Sequence, residues 1–397
     1  MTNGIRNPLN ALEMSVAEYF AGIGLVRMGL ESAGWHINFA NDFSKEKYEM
    51  YIAYFQDANQ HYHLKNIFDI KPKDVPNTML ATASFPCIDL SLAGKRNGLN
   101  GKYSSAFWGF VNILEAQGEN RPPIVLLENV TGWISSNRGK DFRVTIKSLN
   151  ELGYACDVFT LDAIRFTPQS RPRVFIVGYR TEKPNNDVLR LLRRPDSLSS
   201  KALRRTTESN FDLKWHINVI PFPPEEAKVN LSHVVERLPE NDTRWWSDVE
   251  VERHLAMMNQ SHREQVHQLA TKSYLSFRTM YRRVRKGQQR AEVRNDESAG
   301  CLRTARGGSS RQMLIQVGLN RVRMRHMTPR EYARLQGVPD DFPISARINQ
   351  ALTGFGDAVC VPAVTWIAEN VLNPLVLDFS ESFELTANNL QQQMAVL

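Results

Sequence analysis

Cysteine is scarce in this chain: four in 397 residues, Cys87, Cys156, Cys301 and Cys360. They lie far apart and form no CxxC pair, which argues against a zinc site and a disulfide framework and fits a reducing compartment. Long apolar runs are missing as well. Nothing in the sequence approaches the roughly 18 residues of a membrane-spanning helix. Met1 to Met14 carries Glu13 and no apolar core, so it does not read as a leader peptide. A soluble, cytoplasmic protein with no metal and no membrane partner is expected. No internal repeat is visible. Charge of neither sign dominates: 49 Lys and Arg against 42 Asp and Glu leave a formal +7. That mild basic excess is compatible with nucleic acid without demonstrating it. Hydrophobic residues make up 42%, enough for a substantial core and against global disorder. The length suits one large or two ordinary domains.

What is present is an αβ rhythm. Ser15 to Tyr19 reads as a short strand leading into Phe20-Ala21-Gly22-Ile23-Gly24-Leu25, and Val26, Met28, Leu30 and Ala33 mark a helix that closes at Gly34. Strand, Gly-x-Gly turn and helix is how nucleotide-binding α/β sheets begin, because the glycines let backbone amides approach a ligand at the helix N-terminus. The third glycine of the dinucleotide fingerprint would fall at Arg27, so the match is partial, and a plain tight turn gives the same letters. Ile37 to Ala40 forms a second strand ending at Asn41-Asp42-Phe43. Asp42 follows Gly24 by 18 residues, near the roughly 20 at which an acid meets a ribose hydroxyl. Phe43 could stack on an adenine; surface turn residues would look the same.

The central stretch runs from Ser84 to Gly94, Ser-Phe-Pro-Cys-Ile-Asp-Leu-Ser-Leu-Ala-Gly. An apolar strand, Met79 to Phe85, stops at Pro86, which lacks an amide hydrogen. Cys87 is left at the strand tip, where α/β enzymes place their chemistry; taken alone, it could equally be a core cysteine. Lys95, Arg96 and Lys102, with Gly94, Gly98 and Gly101, make a basic loop suited to closing over an anionic substrate or to lying solvated. Pro122-Pro123 introduces Ile124 to Leu127, a fully apolar run typical of a buried parallel strand. It ends in Glu128-Asn129-Val130, and a carboxylate at such an end invites a functional reading beside that of a turn residue. Ser44 to Tyr54, Ser104 to Leu114 and Phe142 to Leu152 read as helices and Cys156 to Leu161 as a strand. Pro168-Gln169-Ser170-Arg171-Pro172-Arg173, followed by Val174 to Val177, reads as a hairpin-like pair with two arginines near the turn.

The rhythm stops near Arg180. Residues 181 to 205 are polar and basic, suited to a linker, and 206 to about 322 are weakly periodic. Within them Ser276 to Arg290 holds Arg278, Arg282, Arg283, Arg285, Lys286 and Arg290, no acid, and the aromatics Phe277 and Tyr281. Basic residues mixed with aromatics suit phosphate and base contacts; a solvated helix face is the alternative. Arg303 to Arg311, with Arg306 between, is a flexible basic loop able to lie along a phosphate backbone. Thr328-Pro329-Arg330-Glu331 is a helix start with a capping box, and Gly337 ends that helix. Gly356-Asp357-Ala358-Val359 leads into a last helix, Pro362 to Leu372, before a polar tail.

Together these stretches resemble the DNA (cytosine-5) methyltransferase family, from Val16 to Val371 apart from the middle of the variable region. The resemblance rests on six motifs in one order: Phe20-Ala-Gly-Ile-Gly24, Pro86-Cys87 with Ser91 and Gly94, Glu128-Asn129-Val130, Gln169-x-Arg171-x-Arg173, Thr328-Pro-Arg330-Glu331 to Gln336, and Gly356-Asp357-Ala358-Val359. It implies an α/β fold, a doubly wound mixed sheet of the S-adenosylmethionine-dependent methyltransferase (Rossmann-like) type, with a smaller, irregular target-recognition domain. Residues 1–180 would be the first part of the catalytic domain, 181–322 the target-recognition domain with its linker, 323–375 the return to the catalytic domain, and 376–397 a loose tail.

The chemistry implied is methylation of cytosine carbon 5 in double-stranded DNA. Cys87 would add to carbon 6 and make carbon 5 nucleophilic. Glu128, protonated, would bind N3 and the exocyclic amine; Arg173 would hold O2 and orient Glu128, and Arg171 would support the pocket or a phosphate. The base must leave the helix to be reached. S-adenosylmethionine, released as S-adenosylhomocysteine, would be held by Phe20, Gly22, Gly24, Asp42, Phe43, Asn66, Ile67, Asp357 and Ala358. DNA would meet Ser91, Lys95, Arg96, Arg278, Arg282, Arg283, Arg285, Arg303, Arg306 and Arg311. Asn66, Asp357 and Ile88 depart from the family's usual aspartate, asparagine and glutamine, and none of the three removes a catalytic group. A monomer is expected, and any cognate restriction endonuclease would act separately. The rival readings are the tRNA-modifying branch of the family and a non-catalytic DNA-binding relative; the long variable region disfavours the first, the intact Cys87, Glu128 and Arg173 the second.

Overall fold

The computed structural model describes residues 14–85, 106–304 and 311–380. Cys87, Ile88, Ser91, Lys95, Arg96 and Arg306 therefore lie outside the described residues. The first strand, β1 (Ser15–Tyr19), is buried at every position. It sits inside a seven-stranded sheet with β2 (His36–Asp42), β3 (Tyr62–Leu64), β4 (Leu80–Ala83), β5 (Ile124–Val130), β6 (Tyr154–Asp162) and β7 (Pro172–Arg180), in the order β3-β2-β1-β4-β5-β7-β6. The first five are parallel; β7 runs antiparallel between β5 and β6. The chain winds outward from β1 to β3, then returns to β4 on the other side of β1. Such a reversal opens a crevice at the carboxyl ends of the strands.

Helices cover both faces, which is why the strands are apolar on both sides. Val16, Leu80, Ile124 and Leu126 face α1 (Leu25–Glu31) and α2 (Lys45–Tyr54), packing with Leu30 and Met50. Ala17, Tyr19, Val125 and Leu127 face α3 (Ala106–Ala116) and α4 (Lys140–Glu151), packing with Phe107, Phe110, Phe142 and Ile146.

Residues 181 to 205 are not a linker. They form α5 (Val188–Arg193) and α6 (Lys201–Glu208), and Val188, Leu191, Leu203 and Trp215 join the second core layer. The segment Trp215 bridges Cys156 beside β6. Arginines dominate the composition here and hide an apolar spacing of three to four, the signature of one buried helix face.

The smaller unit has α7 (Asp248–Ala256) and α8 (Gln260–Ala270) packed on an antiparallel sheet of β8 (Ser276–Arg285), β9 (Gln288–Val293), β10 (Met313–Gly318) and β11 (Arg321–His326), in the order β11-β10-β8-β9. Val251, Leu255, Val266, Met280, Ile315 and Met324 make its core. The arginine stretch is thus a hairpin rather than a helix face. Lys286 and Gly287, both at positive φ, turn it, as two-residue hairpin loops require.

The chain then returns to the first face of the large sheet through α9 (Pro329–Leu335), α10 (Ile348–Asp357) and α11 (Val361–Ile367). The capping box is present: Glu331 N–H donates to Thr328 Oγ1 at 3.2 Å and Thr328 N–H to Glu331 Oε2 at 2.8 Å. Glu331 also forms a fully buried ion pair with Arg325, which pins the junction with the smaller unit. The helical run Ile348–Ser380 is long and apolar enough to span a bilayer by length and composition, but 67% of its most apolar window is buried in the fold.

Candidate active site

The carboxyl ends of β1, β2, β4 and β5 surround one cleft. Its floor is the glycine loop after β1. Phe20, Gly22 and Gly24 all have positive φ, 59°, 58° and 84°. At Gly24 a Cβ would come within 2.3 Å of Phe55 Cε2 and 2.9 Å of Tyr51 Cδ2, so both conformation and packing require glycine. Asp42, at the end of β2, is tied to this loop: its Oδ2 accepts from Gly22 N–H at 3.0 Å and its Oδ1 from Ser44 N–H at 2.9 Å. Phe43 beside it is 65% exposed, an unusual state for a large aromatic next to a cleft. Beneath the loop lies Glu18, which the sequence reading passed over. Burial pushes its carboxyl up to about 8, against the opposing pull of Arg27.

Asp357 and Ala358 close the cleft from α10, with Lys47 of α2 at 2.9 Å from the Asp357 carboxylate. Asn66 and Ile67 stand outside this lining. Asn66 Oδ1 accepts from Phe68 N–H at 3.2 Å, and Ile67 is buried against Gly109 of α3.

On the opposite wall, antiparallel pairing places Val130 of β5 across from Arg173 of β7. Side chains two apart share a sheet face, so Arg173 reaches Glu128 diagonally: Nε to Oε1 is 2.9 Å, and the two side chains are 13% and 12% exposed. Such a pair has little competition from water and a defined geometry. Asn129 points elsewhere and donates to the Phe85 carbonyl at 3.2 Å, holding the end of the segment from which Cys87 follows two residues later.

Arg171 is 2% exposed. Its guanidinium donates to the carbonyls of Leu302 (3.1 Å), Gly356 (3.1 Å) and Ala358 (2.6 Å) and to Cys301 Sγ (3.3 Å). It therefore locks the Gly356–Ala358 turn to the sheet. Gln169 joins the same junction, donating to the Leu335 carbonyl at 2.9 Å and accepting from Leu302 N–H at 3.2 Å. Gly356 makes the approach of the 303–304 backbone possible, since a Cβ there would sit 2.6 Å from Arg303 C and O.

The basic residues divide into two kinds. Arg278 pairs with Glu297 at 2.9 Å, and Arg285 pairs with Glu292 at 2.7 Å, with Arg283 3.8 Å from the same carboxylate. The sequence window Ser276–Arg290 lacks acids, but the facing strand and the loop after it supply them. Arg282, Arg283 and Arg303 line a cavity of about 250 Å³ between β7 and the hairpin, with Tyr281 and Cys301. Arg311 lines a second, larger cleft beside Phe43 and Asp357. Among the described residues no group of His, Cys, Asp and Glu suits a metal ion.

Comparison with known proteins bears on this arrangement. The family profile described as C-5 cytosine-specific DNA methylase matches residues 14–373. Type II methyltransferase M.SsoII of Shigella sonnei is 28% identical over 361 residues, covering 90% of this chain and 80% of that protein. Type II methyltransferase M.HhaI of Haemophilus parahaemolyticus is 25% identical over 358 residues, covering 89% and 93%. The solved structure of the Entamoeba histolytica methyltransferase EhMeth superposes with a TM-score of 0.60 at 15% identity, covering 91% and 98%, a likeness of fold. A sheet of order 3-2-1-4-5-7-6, an acid and an arginine paired at its carboxyl edge, and a family match spanning nearly the whole chain converge: the protein belongs to the C-5 cytosine-specific DNA methylase family.

Proposed function

We propose that this chain transfers the methyl group of S-adenosylmethionine to carbon 5 of a cytosine flipped out of duplex DNA, with Cys87 as the transient nucleophile. The reading places it as a modification methylase of the restriction-modification or orphan kind. The observation that carries it is the Glu128–Arg173 pair, 2.9 Å apart and largely shielded, facing the glycine loop across one cleft.

The residues present fit the cofactor. The glycine loop offers a floor without side-chain bulk; Asp42 keeps lone pairs for ribose hydroxyls after accepting two N–H groups; and the Phe43 ring is free for an adenine face. When bound, S-adenosylmethionine supplies an electrophilic methyl group and leaves as S-adenosylhomocysteine. The chain's own residues do the rest. Glu128, protonated, donates to N3 and accepts from the exocyclic amine, drawing electron density from the ring. Arg173 donates to O2 and fixes the Glu128 carboxyl. The Cys87 sulfur forms a bond to carbon 6, which moves an electron pair toward carbon 5 and makes that carbon nucleophilic. After alkylation, loss of the carbon 5 proton expels the sulfur and restores the aromatic ring. Extruding the base costs a few kcal/mol of stacking and pairing, which phosphate contacts from Arg303 and Arg311 help to offset.

A duplex bearing 5-fluorocytosine tests this, because fluorine cannot leave as a proton and the adduct is trapped. We expect a stable protein–DNA band with the methyl donor present, mapped by mass spectrometry to Cys87 and absent from Cys87→Ala. Methyl incorporation into tRNA rather than duplex DNA, or adduct-free turnover by Cys87→Ala, would refute the assignment.

A further inference from the structure

Arg171 and Arg173 place two guanidinium groups behind the Glu128 pocket. Arg173 has a carboxylate partner in Glu128. Arg171 does not: among the described residues no carboxylate lies within ion-pair distance, and three of its four acceptors are neutral carbonyls. A buried cation held by neutral dipoles alone is costly, and such groups ordinarily have an anion in reach. The fourth acceptor is Cys301 Sγ, 3.3 Å from Arg171 Nη1 and 3.8 Å from Arg173 Nη2. Among the described groups touching the Arg171 guanidinium, this sulfur alone can carry negative charge; the Asp162 carboxylate meets only the Arg171 backbone N–H, at 2.6 Å.

Burial works against that charge, but the guanidiniums of Arg171, Arg173 and Arg303 outweigh it, so the Cys301 thiol ionises below its ordinary range. Cys156 and Cys360 behave oppositely: burial raises both, Cys360 to about 11. In its neutral form the Cys301 thiol donates to the Leu302 carbonyl at 3.5 Å, whose second lone pair accepts from Arg171. The charged groups facing the cluster are Arg173 from β7 and Arg171 just before it, Arg303 from the following segment, Glu128 from β5, Asp357 from α10 and Asp162 at the end of β6.

Resting on the function proposed above, we propose that Cys301 is a positioning residue: its thiolate is the shared counter-ion of Arg171 and Arg173, and it keeps Arg173 compensated when Glu128 takes up the proton it donates to the ring. As a carboxylate, Glu128 neutralises Arg173. Once protonated, it no longer balances the guanidinium. A second anion at the far end of the same guanidinium lowers the cost of that change without touching the substrate. Nothing in the local sequence, Gly300-Cys301-Leu302, signals this role, because the two arginines lie some 130 positions earlier.

Two measurements on the full chain decide it. In a Cys87→Ser protein, Cys156 and Cys360 are buried, so iodoacetamide labelling at Cys301 can be followed by peptide mass against pH. Half-maximal reactivity should fall below the ~8.5 of a free thiol; a midpoint at or above that value overturns the proposal. In duplex methylation by the Cys87-containing enzyme, Cys301→Ser should lower kcat by about tenfold or more, with the KM for S-adenosylmethionine unchanged and the high-pH limb of kcat moved to lower pH. Cys301→Asp, which restores an anion, should recover kcat to within about threefold. A serine variant with the wild-type pH profile, or an aspartate variant no better than serine, overturns it too. If the wild-type chain does not methylate duplex DNA, the proposed function fails, and the labelling arm still decides whether Cys301 is an anion.

Discussion

Replacing Arg194 by Met tests whether the stretch first expected to be a linker is part of the second core layer of the large sheet. Arg194 Nη1 and Nη2 each lie 2.7 Å from a carboxylate oxygen of Asp157, and the side chains are 5% and 0% exposed. Methionine keeps most of the length and removes the charge, leaving Asp157 buried without its cation. Breaking a buried pair on one side costs about 3–5 kcal/mol. Asp157 retains N–H donors from Val158 at 2.7 Å and from Asn218 backbone and side chain at 3.0 Å, which puts the expectation near the lower end, about 3 kcal/mol. At about 2.1 cal/mol/K of unfolding entropy per residue, a chain of 397 residues shifts by roughly 1.2 °C per kcal/mol, so a fall of about 4 °C is expected. Removing both charges in Asp157→Asn/Arg194→Met should recover at least about half of it, since the penalty lies in the orphaned charge. Scanning calorimetry of the three proteins, read beside urea midpoints, measures this. An Arg194→Met protein melting within about 2 °C of wild type would refute the reasoning, because only a loosely attached arginine is so cheap to lose.

Gly24→Ala forces a Cβ into Phe55 and Tyr51 at a φ of 84°; the expected loss is about 2–4 kcal/mol from backbone strain and overpacking together, with S-adenosylhomocysteine affinity falling in parallel by calorimetry. In the smaller unit, burial first, then the charges of Arg311, Arg282 and His254, hold His326 down to about 4. The unfolded chain therefore binds the extra proton first as pH falls, and stability should decline between about pH 6.5 and 4; His326→Gln should flatten part of that decline in a Tm-against-pH series. Arg278 is already paired with Glu297, whereas Arg303 has no carboxylate within ion-pair distance among the described residues. Arg303→Ala should lower the slope of log K against log salt for duplex binding by about one and Arg278→Ala by much less; equal slopes would show that the ion pair does not withdraw Arg278 from DNA.

Much of the site was legible because its parts are local. The Gly22-x-Gly24 turn, the acid after the second strand and the apolar run ending in Glu128 are each short patterns set by backbone geometry and burial. The capping box at Thr328–Glu331 was readable for the same reason. The linker expectation for 181 to 205 failed because composition was weighed over spacing: many arginines concealed one apolar helix face. In the β8–β9 hairpin the pairing of the arginines was hidden by a different effect, since their acids, Glu292 and Glu297, lie beyond the basic window.

By itself the amino-acid order determined the class of fold, the strand ends that line the cleft and the family resemblance, because those features need only neighbours in the chain. Tertiary structure alone decided which groups meet: Arg173 against Glu128 through the β5–β7 register, Arg171 against the Gly356–Ala358 carbonyls, Cys301 against both arginines. The reason is physical. Charge interactions fall off over a few ångströms and act on whatever the fold brings close, and no separation along the chain encodes a contact between residues 130 or 185 positions apart.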